Sequence, residues 1–170
     1  MTILPKNIKK QVDLFDFFDG FSVLHRMTED EDRRYSEQVK SSGGFEVDPF
    51  PGVVAFGLIQ PWDINVPDNA RRCILYSHNA IDTYNTKYGT PQLKFVRVLK
   101  AMCQGCDVFR CYVTFEAKDL ADGGQTKIYQ AVVRCQIPID VNISTLSFRE
   151  CVQLVRGSGF HGKKWNWKGH

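Results

Sequence analysis

The residues best able to do chemistry in this chain are Cys103 and Cys106, held at CxxC spacing in the run Met102-Cys103-Gln104-Gly105-Cys106. That spacing lets both thiolates reach one Zn²⁺ ion or close a redox disulfide. A structural zinc needs about four ligands. The nearest further thiols, Cys111 and Cys135, fall on the apolar phase of expected strands, and there is no second CxxC. No metal and no cofactor is therefore expected. A thioredoxin-like motif opens a helix in a βαβ unit, whereas this one joins two strands, so Cys103 and Cys106 stand only as a candidate redox pair. His25, His78, His161 and His170 lie in four separate regions, which leaves no Cys-His or Ser-His-Asp constellation. The chain reads as non-enzymatic.

The elements that must position this loop lie within residues 71–116. Apolar or small residues at Cys73, Ile74, Ser77, Ala80, Ile81, Tyr84 and Tyr88 follow helical spacing, with Arg71, Asp82 and Lys87 on the other side. Asp68 is a candidate cap, and Gly89 followed by Pro91 is the stop. Residues 92–100 are short and rich in Leu, Phe and Val, which predicts a strand of imperfect alternation. Residues 108–117 alternate cleanly, with Phe109, Cys111, Val113, Phe115 and Ala117 on the face expected to cover the helix. Gly123 and Gly124 mark the next turn. Residues 127–137 follow as a third strand, with Tyr129, Ala131, Val133, Cys135 and Ile137 on one face, and residues 145–156 as a last one. One helix and a consecutive antiparallel meander make the fold class α+β: one helix packed on a curved antiparallel sheet of four to five strands.

Upstream, residues 1–44 read as an N-terminal extension. Its phenylalanine-rich run, from Leu14 to Phe21, is expected to pack on the domain, and a short polar helix opens at the capping box of Thr28 and Glu31 and stops at Gly43 and Gly44. Residues 45–156 form the main domain. Its first part carries four prolines, Pro49, Pro51, Pro61 and Pro67, which confine any strand there to a short edge piece, placed at residues 53–59. Residues 157–170, with Trp165, Trp167 and three lysines, read as a flexible basic aromatic tail rather than a nucleic-acid platform.

The 22 basic and 19 acidic residues give a net charge of +3, too mild to imply nucleic acid or an acidic membrane as partner. No secretory signal and no membrane-length apolar run is visible. The expectation is a soluble cytoplasmic or nuclear protein whose six cysteines are mostly buried free thiols.

From the helix onward the sequence resembles the cystatin family, plant cystatins in particular, and longer plant proteins of the cystatin/monellin superfamily. The resemblance rests on Ala80, Ile81, Asn85 and Lys87 of the helix, then Phe95-Val96-Arg97-Val98-Leu99-Lys100-Ala101. It continues through Tyr112-Val113-Thr114-Phe115-Glu116-Ala117-Lys118, Lys127-Ile128-Tyr129-Gln130-Ala131 and Leu146-Ser147-Phe148-Arg149-Glu150. It covers residues 70–156. The run from Ser42 to Pro51 is similar to the longer plant proteins.

The resemblance implies a protein partner, a papain-like cysteine protease, inhibited by a wedge of three segments: an arm with a glycine, a hairpin loop Q-x-V-x-G and a second loop with Pro-Trp. The arm offers Gly52 and Gly57. The first loop becomes Gln104-Gly105-Cys106-Asp107-Val108, which keeps the glutamine but lacks the central valine and closing glycine. Asp107 would be desolvated in a protease cleft, and Val108 is expected to adopt the family's turn geometry only at a cost. The second loop has Ile137-Pro138 or Ser144-Thr145 in place of Pro-Trp, while Pro61-Trp62 precedes the helix. Two functions follow as expectations: a weak inhibitor of papain-like proteases, or a non-inhibitory interaction or scaffold module that has lost the wedge.

Overall fold

A computed structural model describes residues 24–89, 92–105, 108–136, 141–153 and 165–167. The elements are α1 (Glu29–Ser42), β1 (Ile59–Trp62), α2 (Pro67–Tyr88), β2 (Leu93–Gln104), β3 (Phe109–Asp119), β4 (Gln125–Gln136), β5 (Val141–Gln153) and β6 (Trp165–Trp167). The molecule is α+β. Strands β1 to β5 pair antiparallel in sequence order, and the three-residue β6 adds to the far edge of β5. Trp165–Trp167 is thus a strand where a loose tail was expected. The phenylalanine-rich run of residues 14–21 lies outside the described residues.

Both helix ends of α1 follow from local chemistry. The Glu31 backbone donates to the Thr28 hydroxyl and the Thr28 backbone donates to the Glu31 carboxylate at 2.8 Å, completing the capping box. That backbone bond is also the main reason the Glu31 carboxyl titrates below its ordinary value. Gly43, at φ 70°, closes the helix. α2 starts earlier than the apolar stripe indicates, with Pro67 in its first turn, where a missing N–H costs nothing. Asp68 is not the cap: it lies inside the first turn and pairs with Arg71 and Arg72.

The face of α2 that enters the core is Cys73, Tyr76, Ser77, Ala80 and Ile81. Ile74, expected inside, is exposed, and Tyr76 takes the interior position with its hydroxyl 3.3 Å from Cys135 Sγ. Against this face lie Cys111, Val113, Phe115 and Ala117 of β3 and Tyr129, Ala131, Val133 and Cys135 of β4, as the two-residue alternation predicts. The imperfect alternation of β2 has a physical cause: its register with β3 shifts between Phe95 and Arg97 and again between Val98 and Lys100.

The edge strand is Ile59–Trp62, not residues 53–59. Pro61 is tolerated because β1 pairs on one side only. Val53 instead bridges to His25, ahead of α1.

The second face of the sheet is covered as well. Val47, Ile59 and Met102 are buried there with Tyr35 and Val39 of α1, Phe50 and Tyr112 packed around them. The Arg149 guanidinium sits 4.6 Å over the Phe45 ring and donates to the Ser42 carbonyl at 2.9 Å and to Gln130 Oε1 at 2.8 Å. Burial lowers its pKa. Residues 29–50 therefore form a layer on the sheet opposite α2, so the described part of the extension packs on the domain.

Candidate functional site

Antiparallel register brings three chain segments to one end of the sheet. Ile59, the first residue of β1, lies opposite Gln104, the last of β2. Phe109 at the start of β3 lies opposite Cys135, and Gln136 at the end of β4 lies opposite Val141. The arm entering β1, the β2–β3 turn and the β4–β5 connection consequently leave the sheet at the same end. Residues 106–107 and 137–140 lie outside the described residues, so Cys106, Asp107 and the Ile137-Pro138 pair are placed only by the strands that flank them.

Gln104 joins the first two segments. Its side-chain amide donates to the Gly57 carbonyl at 2.7 Å, and its oxygen accepts from the Tyr112 hydroxyl at 3.1 Å and from Arg110 at 3.2 Å. Gly57, at φ 73°, takes the left-handed turn that points this carbonyl at the strand end. Gly52, at φ 78°, turns the chain earlier, and its carbonyl accepts from the His25 backbone at 2.9 Å. A cleft of about 150 Å³ separates arm and turn, lined by Asp48, Phe50, Val53, Gly57, Ile59 and Gly105.

Sequence reasoning did not single out the apolar residues that the arm presents here. Phe56 is 99% exposed and Val54 is 60% exposed, although both are large and hydrophobic. The available signal was Val53-Val54-Ala55-Phe56 set between Gly52 and Gly57 in a proline-rich segment, where apolar side chains have no strand to hide in. Exposed apolar residues that share one arm mark an interaction site more than a lone one would.

Two expectations about the turn change. Val108 does not need the glycine-like backbone: among the described residues the only non-glycine at positive φ is Asn142, at 51°. Cys103 is not a loop residue. It is buried in β2 opposite Cys111, and desolvation raises its pKa, the neighbouring Cys73 adding to the effect. A buried thiol held protonated is a poor nucleophile, which runs against a redox role for Cys103. Cys111 is held well above the ordinary thiol value, first by burial and then by its hydrogen bond with Cys73. Among the described residues no group of His, Cys, Asp and Glu is arranged to hold a metal ion. Trp62, of the Pro61-Trp62 pair, packs between Tyr76 and Phe109 beside the α2 core and is no exposed anchor.

No family model and no curated protein matches this chain. Function must therefore be argued from the geometry. Among the described residues no helix is long and apolar enough to cross a membrane.

Proposed function

We propose that this is a cystatin-like protein-binding domain that docks through the loop end of its sheet and acts as a weak inhibitor of papain-like cysteine proteases. The observation that carries the reading is the clustering of the arm, the β2–β3 turn and the β4–β5 connection at one end, with the exposed Phe56 beside them. Such an edge enters a cleft with little rearrangement, because its segments are held by strand register rather than by their own turns. Phe56 is the natural anchor: an aromatic side chain loses little conformational freedom on burial and fills an apolar pocket. The missing glycine and central valine, and the charged Asp107, limit the affinity.

A second reading is favoured by Gln104. Its amide and oxygen are engaged inward by Gly57, Arg110 and Tyr112, so the one residue that matches the inhibitor loop pattern, here the last of β2, is committed to holding the arm. In that case the same end is the docking surface of a non-inhibitory interaction or scaffold module.

Titration of the full chain against papain separates the two. Inhibition that saturates below about 100 µM, weakened about thirtyfold by Phe56→Asp, is the expected result for the inhibitor. The triple variant Gly105→Val, Cys106→Val, Val108→Gly should then inhibit more strongly. No inhibition by either protein would remove the protease reading and leave the module.

A further inference from the structure

At the docking end of the sheet the antiparallel register lines up one residue from each of four strands. Gln104 of β2 lies opposite Arg110 of β3, Arg110 opposite Arg134 of β4, and Arg134 opposite Ser144 of β5. Register partners share a face, with Cβ atoms about 4.5–5.5 Å apart. The row crosses the face opposite α2, because the neighbouring Cys111, Val133 and Cys135 belong to the α2 core. The α1 layer packs on that face around Met102 and Tyr112, whereas Arg134 and Ser147 are exposed to solvent.

Two features of the row point to an anion. Like charges directly opposite each other destabilise a sheet. Arg110 and Arg134 are nevertheless so placed, and among the described residues neither forms an ion pair. Arg110, half-buried, donates at 3.2 Å to Gln104 Oε1, an uncharged acceptor that holds the guanidinium without neutralising it. The arginines of β2 and β5 are matched: Arg97 lies opposite Glu116 and donates to it at 2.8 Å, and Arg149 donates to Gln130 and to the Ser42 carbonyl. Lys94 and Lys118 also stand opposite one another, but both are exposed, where water and salt screen the repulsion. The second feature is Ser144. Its hydroxyl is the one buried side-chain polar atom without a hydrogen-bond partner among the described residues. Buried hydroxyls are normally paired. The row therefore sets two uncompensated cations beside a spare hydroxyl, with more donors than acceptors.

We propose that this row binds the phosphoryl group of a phosphorylated protein segment, with Arg110 and Arg134 donating to its oxygens and the Ser144 hydroxyl as a further donor. A phosphoryl group carries a charge of about −1.5 to −2 and three acceptor oxygens, which matches two guanidiniums and a hydroxyl. A carboxylate, with one charge and two oxygens, is satisfied by a single guanidinium fork. The occupant is a protein segment because apolar side chains flank the row. Val132, two residues before Arg134 on the same face, is half-buried, and Leu146, left without a partner where the β4–β5 register shifts, is 49% exposed. A nucleic-acid strand calls for a longer basic track than one pair. The inference rests on the reading of this end as a protein-docking surface and names the chemistry that its partner carries.

The full chain is titrated, by fluorescence anisotropy, with degenerate peptide pools that carry a fixed central phosphoserine or phosphotyrosine, and with the same pools unphosphorylated. Inorganic phosphate and oligothymidylate serve as competitors. The expected result is saturable binding of a phosphorylated pool at about 10–100 µM, with the unphosphorylated pools at least about tenfold weaker. Arg110→Gln and Arg134→Gln should each weaken it about tenfold, and Arg134→Lys, which keeps the charge but loses the fork, about threefold. Arg134→Gln should leave Tm unchanged or raised, because it removes the like-charged pair. Equal binding of both kinds of pool, tighter binding of oligothymidylate than of the peptides, or an Arg134→Gln variant that loses stability and keeps its affinity would each overturn the proposal. Phosphopeptide binding without papain inhibition leaves this proposal standing and removes only the protease reading. Papain inhibition without phosphopeptide binding overturns this proposal alone.

Discussion

Gln104→Glu tests whether this side chain clamps the arm or merely adds stability. The substitution keeps an acceptor for Tyr112 and Arg110 but replaces the amide that donates to the Gly57 carbonyl by an oxygen that repels it. Loss of that half-buried bond costs about 1 kcal/mol. The new charge at Arg110 returns about 0.5 kcal/mol. The net global change is then about 0.5 kcal/mol, or about 1–2 °C in Tm for a chain of this size. The arm itself loses the whole bond and gains a repulsion, about 1–2 kcal/mol locally, which raises its opening about five- to thirtyfold. Hydrogen exchange reads this directly. The reporters are the Val54 amide, bonded to the His25 carbonyl, and the Ile59 amide, bonded to the Tyr35 hydroxyl, both at 2.9 Å. The control is the Leu120 amide, bonded to Gln92 at the other end. Unchanged exchange at Val54 and Ile59, accompanied by a Tm drop above about 5 °C, would refute the clamp and make Gln104 a general stability residue.

The remaining predictions concern the layers and the thiols. At Gly44, φ 88°, a Cβ would lie 2.8 Å from Ile59 Cδ1 and from the Tyr112 ring, whereas at Gly89, φ 73°, it would meet nothing within 4 Å. Gly44→Ala should therefore cost about 2–4 kcal/mol in urea unfolding and Gly89→Ala about 1 kcal/mol; equal costs would mean that the second layer is not packed as described. Burial raises the pKa of Cys103 and Cys111 and takes Cys151 up to about 12, against an ordinary thiol value of 9.0. Because the folded pKa values are higher, this contribution is fully present below pH 9 and is lost as pH rises toward the folded values, so the urea midpoint should fall between pH 9 and pH 12. Alkylation of these thiols at pH 8 should be much slower in the native chain than in urea, and equal rates would contradict their burial.

Much of the architecture is legible in residue types alone. The Thr28 and Glu31 box, the Gly43 and Gly89 stops, and the alternation of β3 and β4 are local patterns whose energetics act within a few residues. The boundaries failed where a local rule has two outcomes. Ile74 follows Cys73 directly and so points about 100° away from it, whereas Tyr76, three residues after Cys73 and four before Ala80, holds the buried phase of the helix. Pro61 excludes a central strand but not an edge one, so the edge strand moved to Ile59–Trp62.

By itself the sequence determined an α+β chain with one amphipathic helix, a meander of strands, and a β2–β3 turn bearing Gln104, because periodicity and turn chemistry are read within single segments. Only the tertiary structure decided that residues 29–50 cover the sheet's second face, that Gln104 turns inward to Gly57, that Cys103 is interior and that Phe56 is left in solvent. Each of these joins residues distant along the chain, and strand register, which no single segment encodes, brings them together.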